Sequence, residues 1–179
     1  MAFKMNTPAG QPADRQLYLC CGNYGTYESP KWGVLGKRVE ESSAEMDWSE
    51  ETKQDILGNT YTTMKKPKIS QPFDPCELDS GDEYQQYIVN LAIVEQNHLA
   101  LCNQDLLRIH LFLSDDTGKA FAERYTSSMV KPSSLGGDGG GVLTMPIDVT
   151  FGGTREVGTA SVDSDGTITF VRADAEQRR

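Results

Sequence analysis

The sequence predicts a mainly β fold, a β-sandwich or barrel-like antiparallel sheet flanked by one α-helix. Three observations lead to this class: segments in which apolar and polar residues alternate, abundant turn-forming residues, and one segment with helical spacing. The 17 glycines and eight prolines in 179 residues indicate many turns. A hydrophobic content of 37% is low for a globular domain but is not that of a disordered chain.

Apolar and polar residues alternate strictly in three segments, residues 107–113, 143–151 and 167–170. In the first of these, four aliphatic residues share one face, while Arg108 and His110 share the other. Alternation of this kind is typical of half-buried antiparallel strands. Residues 121–130 predict a further strand, and the Asp-Ser-Asp-Gly sequence at 163–166 predicts a hairpin turn.

One segment, residues 82–94, has the spacing of an amphipathic helix. Its apolar side chains fall at positions i, i+3, i+4 and i+7. They are Tyr84, Tyr87, Ile88 and Leu91. Ser80 and Glu83 have the spacing of a capping box, and acidic residues suit the positive N-terminal end of a helix. We expect this helix to cover one end or one face of the sheet.

The chain is long enough for one domain with a hydrophobic core and too short for two. We predict an N-terminal arm (residues 1–30), a β domain (31–171) and a loose, charged C-terminal tail (172–179). The arm is rich in Gly, Pro, Asn and Gln, which predicts flexibility in isolation. Its short apolar run at 17–21 could add to the edge of a sheet. A strand is expected to open the β domain within residues 32–43.

The net charge of −9 argues against a partner held through its phosphates, because such binding requires lysine and arginine. An acidic surface that keeps the protein in solution is the ordinary alternative. No run of 18 apolar residues is present, so we predict no membrane insertion. The first residues lack the apolar core of a signal peptide, and the four cysteines are expected to remain reduced thiols in a cytosol.

The sequence offers no recognisable catalytic or cofactor-binding set. His98 and Cys102 are four residues apart, but the other cysteines lack zinc spacing. The glycine-rich run at 135–141 is not followed by Lys-Ser or Lys-Thr and a helix, as a phosphate-binding loop requires. His110 has no spaced partner, and no nucleophile motif is present. We therefore expect no enzyme activity, no metal and no cofactor.

Residues 46–78 are the stretch most informative about function. Residues 48–54 are polar at nearly every position and 59–69 are rich in threonine, which predicts a hairpin with its turn at 58–59. The prolines of 70–75 are expected to end the regular ladder because they lack donors. A hairpin with so little apolar surface suits a partner in another chain or a water-filled space. An ordinary solvated hairpin is the alternative.

Six segments of the chain form an ordered set of motifs. They are WGVLGKRVE (32–40), MDW (46–48), KQDILGNT (53–60), SQPFDP (70–75), LTMPIDV (143–149) and GGTREVGT (152–159). Together they resemble the major tail tube proteins of long-tailed, non-contractile bacteriophages, and the resemblance covers about residues 31–171. It implies a β-sandwich or barrel-like sheet with one flanking helix, the fold that also serves the tube of the type VI secretion system.

The resemblance implies a self-assembling structural protein. Subunits of this family close into hexameric rings, and the rings stack into a tube through which DNA passes at infection. The partners implied are other copies of the chain, the tape measure, tail tip and tail terminator proteins, and DNA that passes without specific binding. The location implied is the virion tail, with assembly in the bacterial host cytoplasm.

The resemblance also assigns the hairpin to contacts between neighbouring subunits. The residues implied are Trp48, Thr52, Ile56, Asn59, Tyr61, Met64 and Ile69. Acidic residues that face the bore would repel DNA phosphates, so that DNA slides instead of binding. The candidates for this lining are Glu40, Glu41, Glu50, Glu51 and Asp55. For each of them, charge that only solubilises the outer surface is the alternative.

Two other functions are compatible with the sequence. A tailocin tube or a type VI secretion-like tube would have the same architecture and carry no DNA. A monomeric β-sandwich binding module, for instance for carbohydrate, would expose an aromatic platform. The aromatic residues available for it are Trp32, Trp48 and Tyr61.

Overall fold

The computed structural model describes residues 2–173, so most of the predicted C-terminal tail, residues 174–179, lies outside the described part. The strands are β1 (Lys4–Met5), β2 (Tyr18–Asn23), β3 (Trp32–Leu35), β4 (Glu45–Asp47), β5 (Glu51–Gln54), β6 (Thr60–Thr63), β7 (Lys68–Phe73), β8 (Gln104–Ser114), β9 (Ala120–Pro132), β10 (Ile147–Phe151), β11 (Arg155–Val162) and β12 (Ile168–Arg172). The helical segments are a 3-10 turn (Arg15–Leu17), α1 (Glu83–Val89), a π-helical turn (Asn90–Val94) and α2 (His98–Leu101).

Ten of the strands form one antiparallel sheet, and β5 and β6 form a separate two-stranded sheet. The main sheet has the order β3-β2-β8-β9-β10-β7-β4, with β11 paired to β9, β12 paired to β11, and β1 paired to the end of β8. The predicted class, a mainly β antiparallel fold with one flanking helix, is confirmed.

Strand β9 is the longest and pairs with three others. Residues 120–128 pair with β8, residues 120–125 also pair with β11, and residues 129–132 pair with β10. Where β10 gives way to β11, Gly152 and Gly153 approach the backbone of Ser127. A Cβ on either glycine would lie 2.7 Å from a Ser127 atom, so larger residues do not fit at this bend.

Helix α1 packs against β2 and β3. The Asp82 side chain accepts a hydrogen bond from the Gln85 N–H at 3.0 Å and so caps its first turn. Tyr84 lies directly over Gly22 and Gly33, and a Cβ on either glycine would overlap that side chain. The helix predicted at 82–94 therefore begins at Glu83, and its N-cap is Asp82 rather than the Ser80 of the predicted capping box. Its α-helical part ends at Val89, and the chain continues through the π-helical turn before α2.

Side chains of the central strands alternate between two apolar clusters. The larger cluster lies under α1 and includes Tyr84, Ile88, Leu106 and Val130. The smaller one lies on the opposite face of β2, β8, β9 and β11. It consists of Cys21, Leu107, Ile109, Ala120, Ala122, Ala160 and Ile168. The antiparallel strand predicted at 107–113 is present within β8, but the prediction that it is half-buried is wrong, because both faces are buried over residues 106–110.

Three segments differ from the sequence-based expectation. The apolar run of the predicted arm is strand β2, which lies between β3 and β8 and is largely buried. The prediction that the ladder ends before residues 70–75 is wrong, because β7 continues to Phe73. Pro72 is tolerated because β4 pairs only as far as Ser70, so β7 has one neighbour at that point. Strand β10 begins only at Ile147, directly after Pro146.

A buried ionic network lies on the face of β8 and β9 that carries the larger cluster. The Glu123 carboxylate accepts hydrogen bonds from Arg155 Nε at 2.8 Å and from the Tyr125 hydroxyl at 2.7 Å. His110 Nε2 lies 3.0 Å from Glu123 Oε1. Arg108 Nη1 lies 3.9 Å from Glu123 Oε2, the oxygen that also accepts from Arg155. Burial alone would raise the pKa of the Glu123 carboxyl, but the hydrogen bonds from His110, Arg155 and Tyr125 hold it well below its usual range.

The Arg108 guanidinium, only 2% exposed, also donates from Nε to the Tyr18 hydroxyl at 2.8 Å. That hydroxyl donates to Gln71 Oε1 at 2.8 Å. Because Tyr18, Gln71 and Arg108 lie on three different strands, this chain of hydrogen bonds joins β2, β7 and β8 across the interior. Removal of any member would leave a buried polar group without its partner.

We predict that Glu123→Gln lowers the free energy of unfolding by about 3 kcal/mol at pH 7, because it leaves buried Arg108 without its counter-charge. An ordinary unfolded glutamate has a pKa of about 4.3. The folded-state pKa of Glu123 lies below this unfolded value. The stabilisation by Glu123 is therefore complete above the unfolded pKa of about 4.3 and is lost as the pH falls from there through the folded-state pKa. Urea unfolding at several pH values should therefore show the two proteins converging at acidic pH.

The matched control is Asp148→Asn, which removes the exposed ion pair with Lys131 at 3.1 Å. Its cost should be less than about 1 kcal/mol, as for other surface pairs. An equal cost for both variants, or a gap that widens on acidification, would contradict the role given to Glu123.

Candidate self-assembly surface

The hairpin formed by β5 and β6 stands apart from the main sheet. Its register pairs Glu51 with Thr63 and Gln54 with Thr60, and all eight strand residues are exposed. A hydrogen bond from Lys65 N to Trp48 O at 2.9 Å continues the pairing toward the base. Both faces of the hairpin carry polar residues, so neither face has the apolar side chains that would pack it against the core. The hairpin therefore stays in solvent on both faces. The predicted hairpin between residues 48 and 69 is therefore present.

Asp55 organises the turn of the hairpin. Its carboxylate accepts hydrogen bonds from the backbone N–H groups of Leu57 at 2.9 Å and Asn59 at 2.8 Å, and from Asn59 Nδ2 at 3.0 Å. The side-chain bond from Asn59, assisted by these N–H groups, lowers the pKa of the Asp55 carboxyl. Gly58 completes the turn with a φ of 86°, a conformation that suits glycine.

Two large apolar side chains occupy the tip of the hairpin. Ile56 is 102% exposed and Leu57 is 82% exposed. Met64 and Tyr61 are also at least half exposed on the same element. Apolar side chains collected on a projecting element, with no core beneath them, are typical of a surface that is covered by a partner.

The structure places most of the predicted contact residues on this hairpin. Trp48 lies at its base, and Thr52, Ile56, Asn59, Tyr61 and Met64 lie along it, all exposed. Ile69 does not belong to the set. It is 8% exposed in β7, paired with Met46 of β4 and Phe151 of β10, and it packs in the larger apolar cluster.

The five acidic residues predicted to line a bore fall into two groups. Glu40 and Glu41 lie in the connection between β3 and β4, whereas Glu50, Glu51 and Asp55 lie along the hairpin. All are exposed. Glu51 forms an ion pair with Lys53 at 3.1 Å, and Asp55 is engaged in the turn, so the carboxylates of these two are not free of local partners. Their position relative to a bore stays a prediction.

Several strands at the margins of the main sheet have a neighbour on one side only among residues 2–173, and these include β3, β4 and β12. The sequence did not indicate these edges. β4 is the terminal strand on one side of the sheet, and it carries Glu45 and Asp47. The pairing of β9 with β8 ends at Ser128, and within residues 2–173 no strand pairs with that side of residues 129–132. This second edge carries Lys131. The edges of a sheet depend on which distant segments of the chain pair with each other, so the local sequence gives no sign of them.

The aromatic platform required by a carbohydrate-binding module does not form. Trp32 packs against the smaller apolar cluster, with the Arg124 guanidinium 5.4 Å from its ring centroid. Trp48 and Tyr61 instead lie on the hairpin. The structure therefore separates the first of these aromatic residues from the other two.

The described residues contain no group of three or more His, Cys, Asp or Glu placed to hold a metal ion. The four cysteines are free thiols, and three of them are buried. Burial raises the pKa of the Cys20 thiol to about 12, which keeps it protonated and unreactive near neutral pH. Among residues 2–173, no helix has the length and apolar character needed to cross a membrane.

We predict that Asp55→Ala loosens the turn without changing the stability of the protein, because the hairpin lies outside both apolar clusters. Hydrogen exchange of the Leu57 and Asn59 amides should accelerate several-fold, while the melting temperature stays the same. Asp55→Asn, which keeps one acceptor oxygen, is the matched control and should show a smaller acceleration. A drop in melting temperature for the alanine variant would mean that the hairpin is part of the cooperative core.

No protein-family model matches the chain, and no curated protein sequence matches it. Among solved structures, the chain is similar to a protein of the sheath–tube complex of an extracellular contractile injection system, PVC, in its extended state. The identity is 8%, the match covers 84% of this chain and 94% of that chain, and the TM-score is 0.46.

Two further structures are similar. One is the sheath/tube terminator of the PVC system in its extended state, with 11% identity, 84% of this chain and 99% of that chain covered, and a TM-score of 0.48. The other is the tube-terminating cap of the anti-feeding prophage, with 10% identity, 94% and 96% covered, and a TM-score of 0.42. Because all three TM-scores lie below 0.5, no role passes from these proteins to this chain.

Proposed function

We propose that the chain is the structural subunit of a bacteriophage tail tube. Identical copies close into hexameric rings, the rings stack, and the lumen conducts DNA into the host without binding it. The tape measure, tail tip and tail terminator proteins are its partners in the virion. The observation that carries the proposal is the projecting hairpin, whose strand residues are all exposed and whose tip is apolar. The ordered sequence motifs at 32–159 agree with it.

The hairpin needs a partner for physical reasons. An isolated two-stranded hairpin is marginally stable in water, and a third strand or a packed surface normally completes it. The outer strand β6 carries no charged residue, so its edge lacks the usual protection against pairing with another chain. Burial of Ile56 and Leu57 on a neighbouring copy would contribute about 1.5–3 kcal/mol for each side chain.

The open edges of β4 and β9 support closure into a ring. A contact between two different edges of identical copies is heterologous, and such contacts close into rings when the rotation allows. Glu45 and Asp47 give the β4 edge negative charge, whereas Lys131 on the β9 edge is already paired with Asp148 at 3.1 Å. The charges of the two edges therefore add little to this pairing, which rests on their unpaired backbone groups.

The acidic surface suits a conduit for DNA. A net charge of −9 on each subunit repels phosphates, so a bore lined by carboxylates would keep DNA from adhering to its wall. Affinity for DNA would require the opposite, cationic side chains that release counterions. The proposal therefore assigns Glu50 and Glu51, at the base of the hairpin, to the lumen.

We predict that Ile56→Ser combined with Leu57→Ser abolishes assembly and leaves the monomer folded, because the tip has no contact with the core. Size-exclusion chromatography and negative-stain electron microscopy, run with the tail assembly factors present, measure the outcome. Ile93→Ser combined with Val94→Ser is the control, since these side chains are 44% and 73% exposed on the π-helical turn rather than on the hairpin.

The unsubstituted protein should form rings or tubes in the same assay. A protein that stays strictly monomeric at every concentration, with assembly factors present, would refute the proposed function. Tubes of normal appearance from the tip variant would exclude the hairpin as the contact element.

We predict that Glu50→Lys combined with Glu51→Lys slows DNA ejection from particles without altering tube length, because cations in the bore would hold phosphates. The effect should weaken at high salt. Glu28→Lys combined with Glu95→Lys, which makes the same change in net charge at exposed positions off the hairpin, should eject DNA at the original rate. Ejection followed by dye fluorescence gives the rates, and an unchanged rate for the first variant would remove these residues from the lumen.

A further inference from the structure

The N-terminal strand β1 is held by few contacts. Lys4 is paired with Ser114, and Met5 with Leu113, at the end of β8. Asn6 donates from its backbone N–H to Phe112 O at 3.1 Å and from Nδ2 to Leu111 O at 2.8 Å. The ion pair of Lys4 with Asp116 is exposed on both sides, so it adds little.

Phe3, directly before β1, contacts a row of aromatic rings on β8 and β9. The Phe3 ring lies edge-on to the Phe121 ring, with centroids 4.8 Å apart. Phe121 in turn stacks against His110 at 5.3 Å, and His110 contacts Phe112 at 5.6 Å. Phe3 thus packs at the outer end of a row of aromatic rings that leads to the buried Glu123 network, through the contact of His110 with Glu123.

The segment that links β1 to the sheet makes almost no contacts. Residues 8–16 are exposed, and a turn with Gln11 N donating to Pro8 O at 3.1 Å folds this segment back. Its far end is fixed where the Arg15 guanidinium donates to Tyr18 O at 2.8 Å and to Ser42 O at 3.1 Å. Between Asn6 and Arg15 lie residues 7–14, which span about 26–29 Å when extended.

We propose that β1 is exchanged between copies, so that the β1 of one subunit occupies the β8–β9 site of the next subunit in the assembly. This inference rests on the proposed function, because it needs neighbours within reach of the linker. The exchanged and unexchanged forms share every contact of residues 3–6, so they differ only in the path of the linker. Within an assembly the neighbouring site is present at high effective concentration, so exchange carries little entropic cost. The result is a chain of subunits tied together by their N-terminal strands.

Two single-cysteine variants test the exchange, Met5→Cys and Leu113→Cys, each combined with Cys102→Ser to remove the one exposed thiol. Directly opposed residues of an antiparallel pair lie about 4.5–5.5 Å apart, within the reach of a disulfide. The two proteins are mixed, assembled, oxidised mildly and separated on a denaturing gel without reductant. A disulfide between them above the level of random collisions forms when β1 of one copy lies on β8 of another.

The expected result is a dimer band at least several-fold stronger than in the control mixture, in which Val162→Cys replaces Leu113→Cys. Val162 is 39% exposed on β11, so that mixture reports random collisions. A band no stronger than the control, from material that contains rings or tubes, would overturn the exchange and leave the proposed function standing. The double variant Met5→Cys/Leu113→Cys, oxidised in parallel, should give linked multimers if exchange occurs.

A double variant that forms only internal disulfides at every concentration, in protein that never assembles, would overturn both proposals together. Linked multimers without rings or tubes would support the exchange and count against the tube. These outcomes therefore distinguish a failure of the exchange from a failure of the tube.

Discussion

Strand β9 must hydrogen-bond to three strands, and the rest of the sheet depends on this. It pairs with β8 and β11 in its first half and with β10 in its second. The change of neighbour from β11 to β10 occurs near Ser127. Two glycines opposite that residue allow the close backbone approach that the change requires. The same strand carries Glu123, whose carboxylate holds together side chains from β8, β9 and β11. The bend between β10 and β11 and the ion pairs of Glu123 thus both lie against β9.

The sequence predicted the strands with a strong local pattern and missed those without one. Alternation at 107–113 identified β8 because its aliphatic face is continuous. The opposite face, with Arg108 and His110, reads as solvent-exposed, yet it is buried because Glu123 lies across from it. Pairing of charges across neighbouring strands cannot be read from periodicity. Strand β2 was assigned to an arm because its flanking residues are rich in glycine and proline.

For the candidate surface, composition was a better guide than residue-level assignment. A run that is polar on both faces predicted a hairpin without a core, and β5 and β6 are exposed throughout. The error at Ile69 arose from the hairpin boundary, because the strand that follows returns to the main sheet and buries alternate residues. The charge of Asp55 makes it a candidate for the lumen, whereas its hydrogen bonds show that the turn uses its carboxylate. The open edge of β9 depends on where β8 stops pairing, which no local motif encodes.

The detachment of the hairpin from both apolar clusters has an evolutionary consequence. Substitutions at its tip should cost little folding free energy. Under the proposed function, the tip and the face that it docks on would be free to change together, and subunits from related lineages would keep a common scaffold without assembling with one another. Incompatibility between otherwise similar particles would arise from a handful of codons around residue 56, without any remodelling of the sheet.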